Sequence, residues 1–90
     1  MTRKFSMGQL YLTAGINESN IDTQDLFGSI DRHLRGDWGD VDAEDQDANN
    51  HALEIGARVL SSYKSRDGVK FWIITEADRS ATTVLLPGEY

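Results

Sequence analysis

Several common features are missing from this 90-residue chain. It contains no cysteine, which excludes disulfide bonds, thiolate nucleophiles and cysteine-ligated zinc. No stretch approaches the roughly 20 apolar residues of a membrane span, and residues 1 to 8 lack the apolar run of a secretory signal. These absences predict a cytoplasmic protein.

Positive charge is missing from one part of the sequence. Residues 37 to 47, here called the acidic segment, hold six of the fifteen Asp and Glu residues and no Lys or Arg. The other nine acids equal the nine Lys and Arg in number, so this segment accounts for the net charge of −6. Its carboxylates belong to Asp37, Asp40, Asp42, Glu44, Asp45 and Asp47.

The sign of this charge restricts the possible partners. Phosphate backbones and anionic lipids repel an acidic surface, so direct binding to nucleic acid or to a membrane is disfavoured. Acids at the start of a helix also complement its dipole, by ~0.3–1 kcal/mol each. Capping needs only one or two of them, so the surplus favours a contact surface for a basic site on another protein.

The first predicted helix follows residue 22. Apolar residues from Leu26 to Leu34 recur at helical spacing, and Asp22 or Thr23 is suited to the N-cap position. Basic residues in the last turn complement the helix dipole, and Gly36 suits the position after the helix end. The spacing therefore predicts a helix that extends to about Arg35.

A second helix is predicted over Ala43–Ile55. Asp42 suits its N-cap, and Gly56 is expected to end it. We expect it to pack closely on the sheet or on the first helix through an inward face of Ala48, Ala52 and Ile55, with Leu53 at the margin.

Four strands are predicted over residues 9–13, 58–64, 69–75 and 82–86. The last three follow one another through short connections, so they should pair antiparallel. The order β-α-α-β-β-β predicts a single small α+β domain over residues 1–90, in which two helices cover one face of an antiparallel sheet of about four strands. Residues 1–7 are expected to be flexible.

No motif predicts a bound metal or a cofactor. Asp40, Asp42 and Glu44 alternate like the first ligands of a calcium-binding loop. The sixth and twelfth positions of that loop require glycine and glutamate, and here they would be Asp45 and His51. We therefore interpret these acids as helix-capping residues rather than metal ligands.

No catalytic motif is present either. The two histidines lie on different predicted helices, and we interpret both as surface or helix-end residues, with His33 complementing the helix dipole. A small enzyme remains the less favoured hypothesis. It would use His33 with the Asp37 and Asp40 loop, or the loop that contains Glu76, Asp78 and Arg79.

Two further features are candidates for partner contact. The connection that carries Glu76, Asp78 and Arg79 is either a recognition loop or a solvated turn. Trp38 is either a plug that holds its loop against the core or an exposed anchor for a partner. The plug is favoured because exposed tryptophan is costly without a partner.

Two strings of the sequence carry a resemblance to known proteins. They are HLRGDWGD at residues 33–40 and WIITEADRSATTVLLPGEY at residues 72–90, with Asn50, Ala52, Leu53 and Gly56 spaced between them. Over residues 8–90 the chain resembles a group of short proteins encoded by plasmids, phages and integrated elements. The resemblance implies no catalytic residue. It implies a mobile element as the setting, where small acidic proteins often block host restriction or CRISPR complexes.

The sequence therefore favours a non-enzymatic acidic protein that inhibits a DNA-targeting defence complex by occupying its basic site. Trp38 and the six acids would form the contact. Mimicry of a long duplex is disfavoured, because Glu44 to Asp47 span only about 5 Å of a helix that rises ~1.5 Å per residue. The alternative is a housekeeping interaction module, dimeric through the face that bears Trp72 or through an open sheet edge. Both monomer and homodimer remain open.

Overall fold

The computed structural model describes residues 2 to 90 and contains a four-stranded sheet with three helices. In chain order the elements are β1 (Gln9–Leu12), α1 (Ala14–Glu18), α2 (Thr23–Leu34), α3 (Ala43–Ile55), β2 (Val59–Lys64), β3 (Lys70–Thr75) and β4 (Ala81–Leu85), followed by a 3-10 turn at Pro87–Glu89. The predicted α+β class is confirmed. Within residues 2–90, no helix has both the length and the apolar character required to cross a bilayer.

The sheet is mixed rather than wholly antiparallel. Its strand order is β1-β4-β3-β2, with β2 and β4 antiparallel to β3 as predicted. The prediction is wrong for β1, which runs parallel to β4. The long helical connection brings the chain to the far edge at β2, and two hairpins then return β4 alongside β1 in the same direction. A parallel pair requires such a long connection.

Helix α1 occupies residues where the sequence predicted only the end of the first strand. Thr13 is its N-cap, and the Thr13 hydroxyl accepts a hydrogen bond from the backbone N–H of Ile16 at 3.3 Å. Ile16 is buried in the core. A five-residue helix is too short to show a periodic pattern, so sequence analysis missed it.

The core lies between the helices and one face of the sheet. Its main cluster joins residues of α1 and α2 to inward-facing residues of β2, β3 and β4: Ile16, Leu26, Ile30, Leu34, Tyr63, Phe71, Ile73 and Val84. A second cluster contains Trp38, Ala52 and Val59. Since Val59 shares the inward face with Ile73 through the strand register, all three helices cover the same side of the sheet, as predicted for the two longer ones.

Helix α3 faces the core with a different side from the one predicted. Asn49 and Ala52 are buried, whereas Ala48 is exposed and the side chain of Ile55 is 62% exposed. The cause is the carboxamide of Asn49. Its Nδ2 donates to the Leu60 carbonyl at 2.8 Å, and its Oδ1 accepts from the Leu60 N–H at 3.2 Å. This pairing rotates Asn49 toward the sheet and leaves Ile55 outside.

Residues 2–7 make contacts that the sequence did not predict. The backbone N–H of Lys4 donates to the Leu34 carbonyl at 2.7 Å, and Phe5 and Met7 pack against the core. The segment expected to be flexible also included Met1, which lies outside the described residues.

The free edge of β2 is closed by two parts of the chain. Asn49 pairs with Leu60, while the Ser62 N–H donates to the Trp38 carbonyl at 3.1 Å and the Ser62 carbonyl accepts from Asp40 at 2.7 Å. Between them, Gly39 has a φ of +73°, and a Cβ there would collide with the Ser62 carbonyl. Only glycine permits this approach.

We predict that Asn49→Ala destabilises the fold by about 1–3 kcal/mol, because it leaves the Leu60 N–H and carbonyl without partners at a covered edge. His51→Ala on the same helix is the control, since His51 is exposed and its replacement by alanine raises the helix propensity by a similar amount. Urea denaturation at neutral pH measures both. Equal stability of the two variants would contradict this role for Asn49.

Candidate functional site

All six carboxylates of the acidic segment are exposed. The segment connects α2 to α3 and continues into the first turns of α3, beside the β2 edge of the sheet. The predicted acids are therefore neighbours along one exposed segment, although those on α3 point in different directions, since successive helical residues are rotated by about 100°. Their individual environments differ, and these differences decide which of them can meet a partner.

Asp37 is partly neutralised within the chain. Arg32 donates to it twice, from Nε to Oδ2 at 2.8 Å and from Nη2 to Oδ1 at 3.2 Å, and Gly39 N–H also donates to Oδ1. The guanidinium hydrogen bond lowers the pKa of the Asp37 carboxyl. Both side chains are about half exposed, so the pair contributes roughly 0.2–1 kcal/mol. Asp37 shapes its loop and offers the least free charge.

Asp42 has the capping role that the sequence predicted. Its Oδ1 accepts from the backbone N–H of Asp45 at 2.9 Å. The other four acids of the segment make no ion pair with any residue between 2 and 90. They are Asp40, Glu44, Asp45 and Asp47. These four supply the uncompensated charge of the surface.

The acidic surface extends further along α3 than the sequence analysis indicated. Glu44, Asp47 and Glu54 are exposed, and at 100° per residue they lie within an arc of about 80°. At ~1.5 Å per residue they span about 15 Å along the helix. We call Glu44, Asp47 and Glu54 the acidic stripe. Glu54 lies seven residues beyond the acidic segment, so the density of acids along the chain does not indicate it.

Trp38 is the plug of the loop, with only 3% of its surface exposed. Its indole Nε1–H donates to Asn50 Oδ1 at 2.9 Å. The ring stacks on Phe5, with centroids 6.2 Å apart, and meets His33 edge-on at 5.7 Å. Of the two roles considered for Trp38, the structure shows the packed one. Its indole holds the acidic segment in place from beneath and is not on the contact surface.

His33 lies in the last turn of α2, as one of its two interpretations held, but its side chain is buried in the core and is not on the surface. Its ring is fully buried. Nδ1 lies 2.5 Å from the Ser61 hydroxyl and Nε2 lies 2.8 Å from the Thr75 hydroxyl. The Thr75 hydroxyl lies 2.8 Å from that of Thr82, which donates to the carbonyl of Met7 at 2.7 Å.

The direction of this network follows from its last acceptor. A carbonyl only accepts, so Thr82 donates to Met7 and accepts from Thr75. Thr75 in turn accepts from His33, which places the imidazole proton on Nε2. The Ser61 hydroxyl then donates to the lone pair of Nδ1. In this arrangement the neutral ring uses one nitrogen as a donor and the other as an acceptor.

Burial lowers the pKa of His33 to about 3, and the positive charge of Arg79 contributes in the same direction. Both ring nitrogens bond to hydroxyls rather than to Asp37 or Asp40. The structure therefore does not assemble the constellation that the alternative enzyme hypothesis required of His33.

The residues of the second candidate loop differ in their exposure to solvent. Arg79 is half-buried and donates to the carbonyls of Ala57 at 2.8 Å, Glu76 at 3.1 Å and Ala52 at 3.4 Å. Its guanidinium also lies over the Phe5 ring. Arg79 thus caps the end of α3, and the side chains of Glu76 and Asp78 remain exposed. The hydrogen bond from Ser80 lowers the pKa of Asp78.

The two strings that carry the resemblance meet in one junction. His33 and Trp38 belong to the first string, and Thr75 and Arg79 to the second. Phe5 contacts three of these side chains, namely His33, Trp38 and Arg79. The junction is a packing unit that fixes the acidic segment relative to the sheet.

No group of three or more His, Asp or Glu residues within residues 2–90 is arranged to hold a metal ion. Comparison with protein-family models, with curated proteins and with solved structures gives no match to this chain.

We predict that His33 makes the protein sensitive to acid. Its pKa is about 3 in the folded protein and 6.5 for an unperturbed histidine, so the unfolded chain takes up the proton first as pH falls. The contribution of His33 to stability should be constant above about pH 6.5 and decline below it, by up to about 1.4 kcal/mol per pH unit, until pH 3.

The test is urea denaturation of the wild type and of His33→Gln between pH 7 and pH 4. Glutamine keeps a donor and an acceptor but does not titrate, so the variant should lose this part of the pH dependence. His51→Gln is the control, because His51 is exposed. An unchanged pH slope in His33→Gln would contradict the assignment.

Proposed function

We propose that this chain is a non-enzymatic binding protein of a mobile genetic element that presents its acidic surface to a basic nucleic-acid-binding site. The target we propose is a DNA-targeting defence complex in the host cytoplasm, of the restriction or CRISPR type. The observation that carries the proposal is the set of four exposed acids without an ion pair, Asp40, Glu44, Asp45 and Asp47, on a firmly held segment.

The fixed position of these charges supports a recognition role. Trp38 is packed beneath the segment, the β2 edge holds its backbone, and Asp42 orders the start of α3. Charges that are already in place lose little conformational entropy on binding. Clustered like charges repel one another in the free protein, and a basic partner relieves that repulsion.

The size of the surface indicates what kind of competitor it is. The acidic stripe spans about 15 Å, whereas duplex DNA of that length carries about nine charges at one per ~1.7 Å. Even with Asp40, Asp42 and Asp45, the protein has fewer charges than the duplex. It resembles a short piece of nucleic acid, so we expect it to block one basic subsite and to be steered there electrostatically.

The resemblance to plasmid- and phage-borne proteins supplies the proposed setting. The same negative charge disfavours direct contact with nucleic acid or anionic membranes. A basic protein site is thus the partner that fits both the setting and the sign of the charge.

The decisive variant reverses three charges without removing the helix cap: Asp40→Lys, Asp47→Lys and Glu54→Lys together. Asp40 precedes the cap and Asp47 follows the first turn, while Lys at position 54 suits the helix C-terminus. The fold should therefore survive. The readout is phage plaquing on a host with an active restriction or CRISPR system, relative to a host without one. We expect the wild type to raise relative plaquing and the triple variant to lose this effect.

The matched control is Thr2→Lys, Asn17→Lys, Glu18→Lys and Asp67→Lys together, which makes the same change in net charge at exposed positions outside both candidate sites. It should retain activity. Equal loss in the two variants would show a dependence on net charge rather than on this surface. Protection by neither the wild type nor the control, against both kinds of system, would overturn the proposed target.

A further inference from the structure

The two edges of the sheet differ in how far other parts of the chain pair with their backbone groups. The outward backbone groups of β2 at Leu60 and Ser62 are paired with Asn49, Trp38 and Asp40. Strand β1 forms the other edge. Among the described elements, β4 is the one that packs extensively against β1.

The pairing of β1 with β4 determines which of its backbone groups face outward. Gln9 N–H donates to Ser80 and Thr13 N–H donates to Val84, so alternate residues from Gln9 to Thr13 bond inward. In a parallel ladder the intervening residues direct their N–H and carbonyl groups away from the partner. Leu10 and Leu12 therefore present two donors and two acceptors at the open edge.

Natural sheets usually protect such an edge with charged residues, proline, a bulge, a covering element or a very short strand; of these, β1 has only its short length of four residues. Strand β1 has the sequence Gln-Leu-Tyr-Leu, which contains neither a charge nor a proline. The side chain of Tyr11 is 55% exposed on the sheet face opposite the helices. This edge has the properties of a strand that pairs with another strand.

We propose that β1 pairs antiparallel with β1 of a second copy of this chain, so that two four-stranded sheets join into one of eight strands. The two-fold axis passes beside Tyr11. Leu10 of each copy exchanges both backbone hydrogen bonds with Leu12 of the other, which makes four bonds in total. The two Tyr11 residues form the central non-hydrogen-bonded pair, in which side chains lie closest.

Charge favours a second copy at this edge. The acidic segment accounts for the whole net charge of −6 and lies beside β2, three strand spacings or about 14 Å from β1. In the eight-stranded sheet the two β2 strands are about 33 Å apart, several times the ~8 Å Debye length. The rest of each chain has no net charge, so the long-range repulsion between two copies comes from the acidic segments and is screened at this distance.

The covered β2 edge limits the assembly to two copies. Once β1 is paired, both ends of the eight-stranded sheet are β2 edges closed by Trp38, Asp40 and Asn49. The interface is isologous and closes on itself. A four-residue strand buries little surface, so the dimer belongs to the weak class of interfaces, with a Kd between micromolar and millimolar.

A single cysteine tests the register directly, since the chain has none of its own. Residues in a non-hydrogen-bonded pair have Cα atoms about 4.5 Å apart, within the range that a disulfide spans. Tyr11→Cys should therefore form a disulfide-linked dimer rapidly on mild oxidation. Phe27→Cys is the matched control, because Phe27 is similarly exposed but lies on α2. Equal rates of dimer formation for the two variants would contradict the register.

Sedimentation equilibrium over a concentration series tests the assembly without any modification. The wild type should approach twice the monomer mass at high concentration. Tyr11→Lys places like charges directly opposite each other and should raise the dimer Kd by about tenfold or more, while Phe27→Lys should leave it unchanged. Circular dichroism verifies that both variants fold. A wild type that stays monomeric up to millimolar concentration, or a Tyr11→Lys variant that dimerises equally well, would overturn the proposal. The measurement uses the isolated protein and is independent of the proposed defence target.

Discussion

The backbone of Ser62 is the point on which the rest of the structure depends. Its N–H and carbonyl bond to Trp38 and Asp40, and these two bonds fix the connection between α2 and α3 along the edge of the sheet. The left-handed conformation of Gly39 permits the approach. Trp38 then fills the space behind the loop. The acidic side chains on either side of it therefore point outward, into solvent. The placement of the negative surface is thus a consequence of closing a sheet edge.

A second set of hydrogen bonds, the His33 network, lies within the core. It links α2 to β2, β3 and β4 through hydroxyl groups and ends at the backbone of Met7. An alternative packing of α2 on the sheet would break several of these bonds at once, and each buried polar group left without a partner would cost about 1–3 kcal/mol. The network therefore specifies one arrangement of helix and sheet. The neighbouring ring of Phe5 joins it to Trp38, which makes the loop and the core a single unit.

Local patterns were sufficient for elements whose signals are local. The amphipathic spacing of α2, the Asp42 cap of α3 and the antiparallel pairing of β2 with β3 depend on residues near one another in the chain, and the structure contains all of them. The direction of β1 was not predictable in this way, since it depends on which strand returns beside it. The inward face of α3 was also mispredicted, because hydrophobicity ranks Ile55 above Asn49. The structure reverses that order because Asn49 can satisfy an exposed strand edge.

In the candidate site, too, the features with a local signal were predicted and those that depend on distant residues were not. Composition located the acidic segment, and the packed role of Trp38 was favoured by the cost of exposing an indole. The sequence does not indicate that His33 is buried. Its partners Ser61 and Thr75 are distant along the chain, and small polar residues of this kind are common on surfaces. The same holds for Arg79, whose charge suggested recognition and whose actual partners are backbone carbonyls.

Helix α3 depends for its stability on the sheet beside it. Its sequence contains several acids and two adjacent asparagines, and no basic residue lies in its last turn, so it has little tendency to form alone. Its Asn49 side chain bonds to β2, and the carbonyls of Ala52 and of Ala57, just beyond the helix, accept from Arg79 in the β3 to β4 connection. Both supports come from the β2-β3-β4 meander. The negatively charged helix is therefore held by the sheet rather than by its own propensity, and its charges keep their spacing only while the meander is intact.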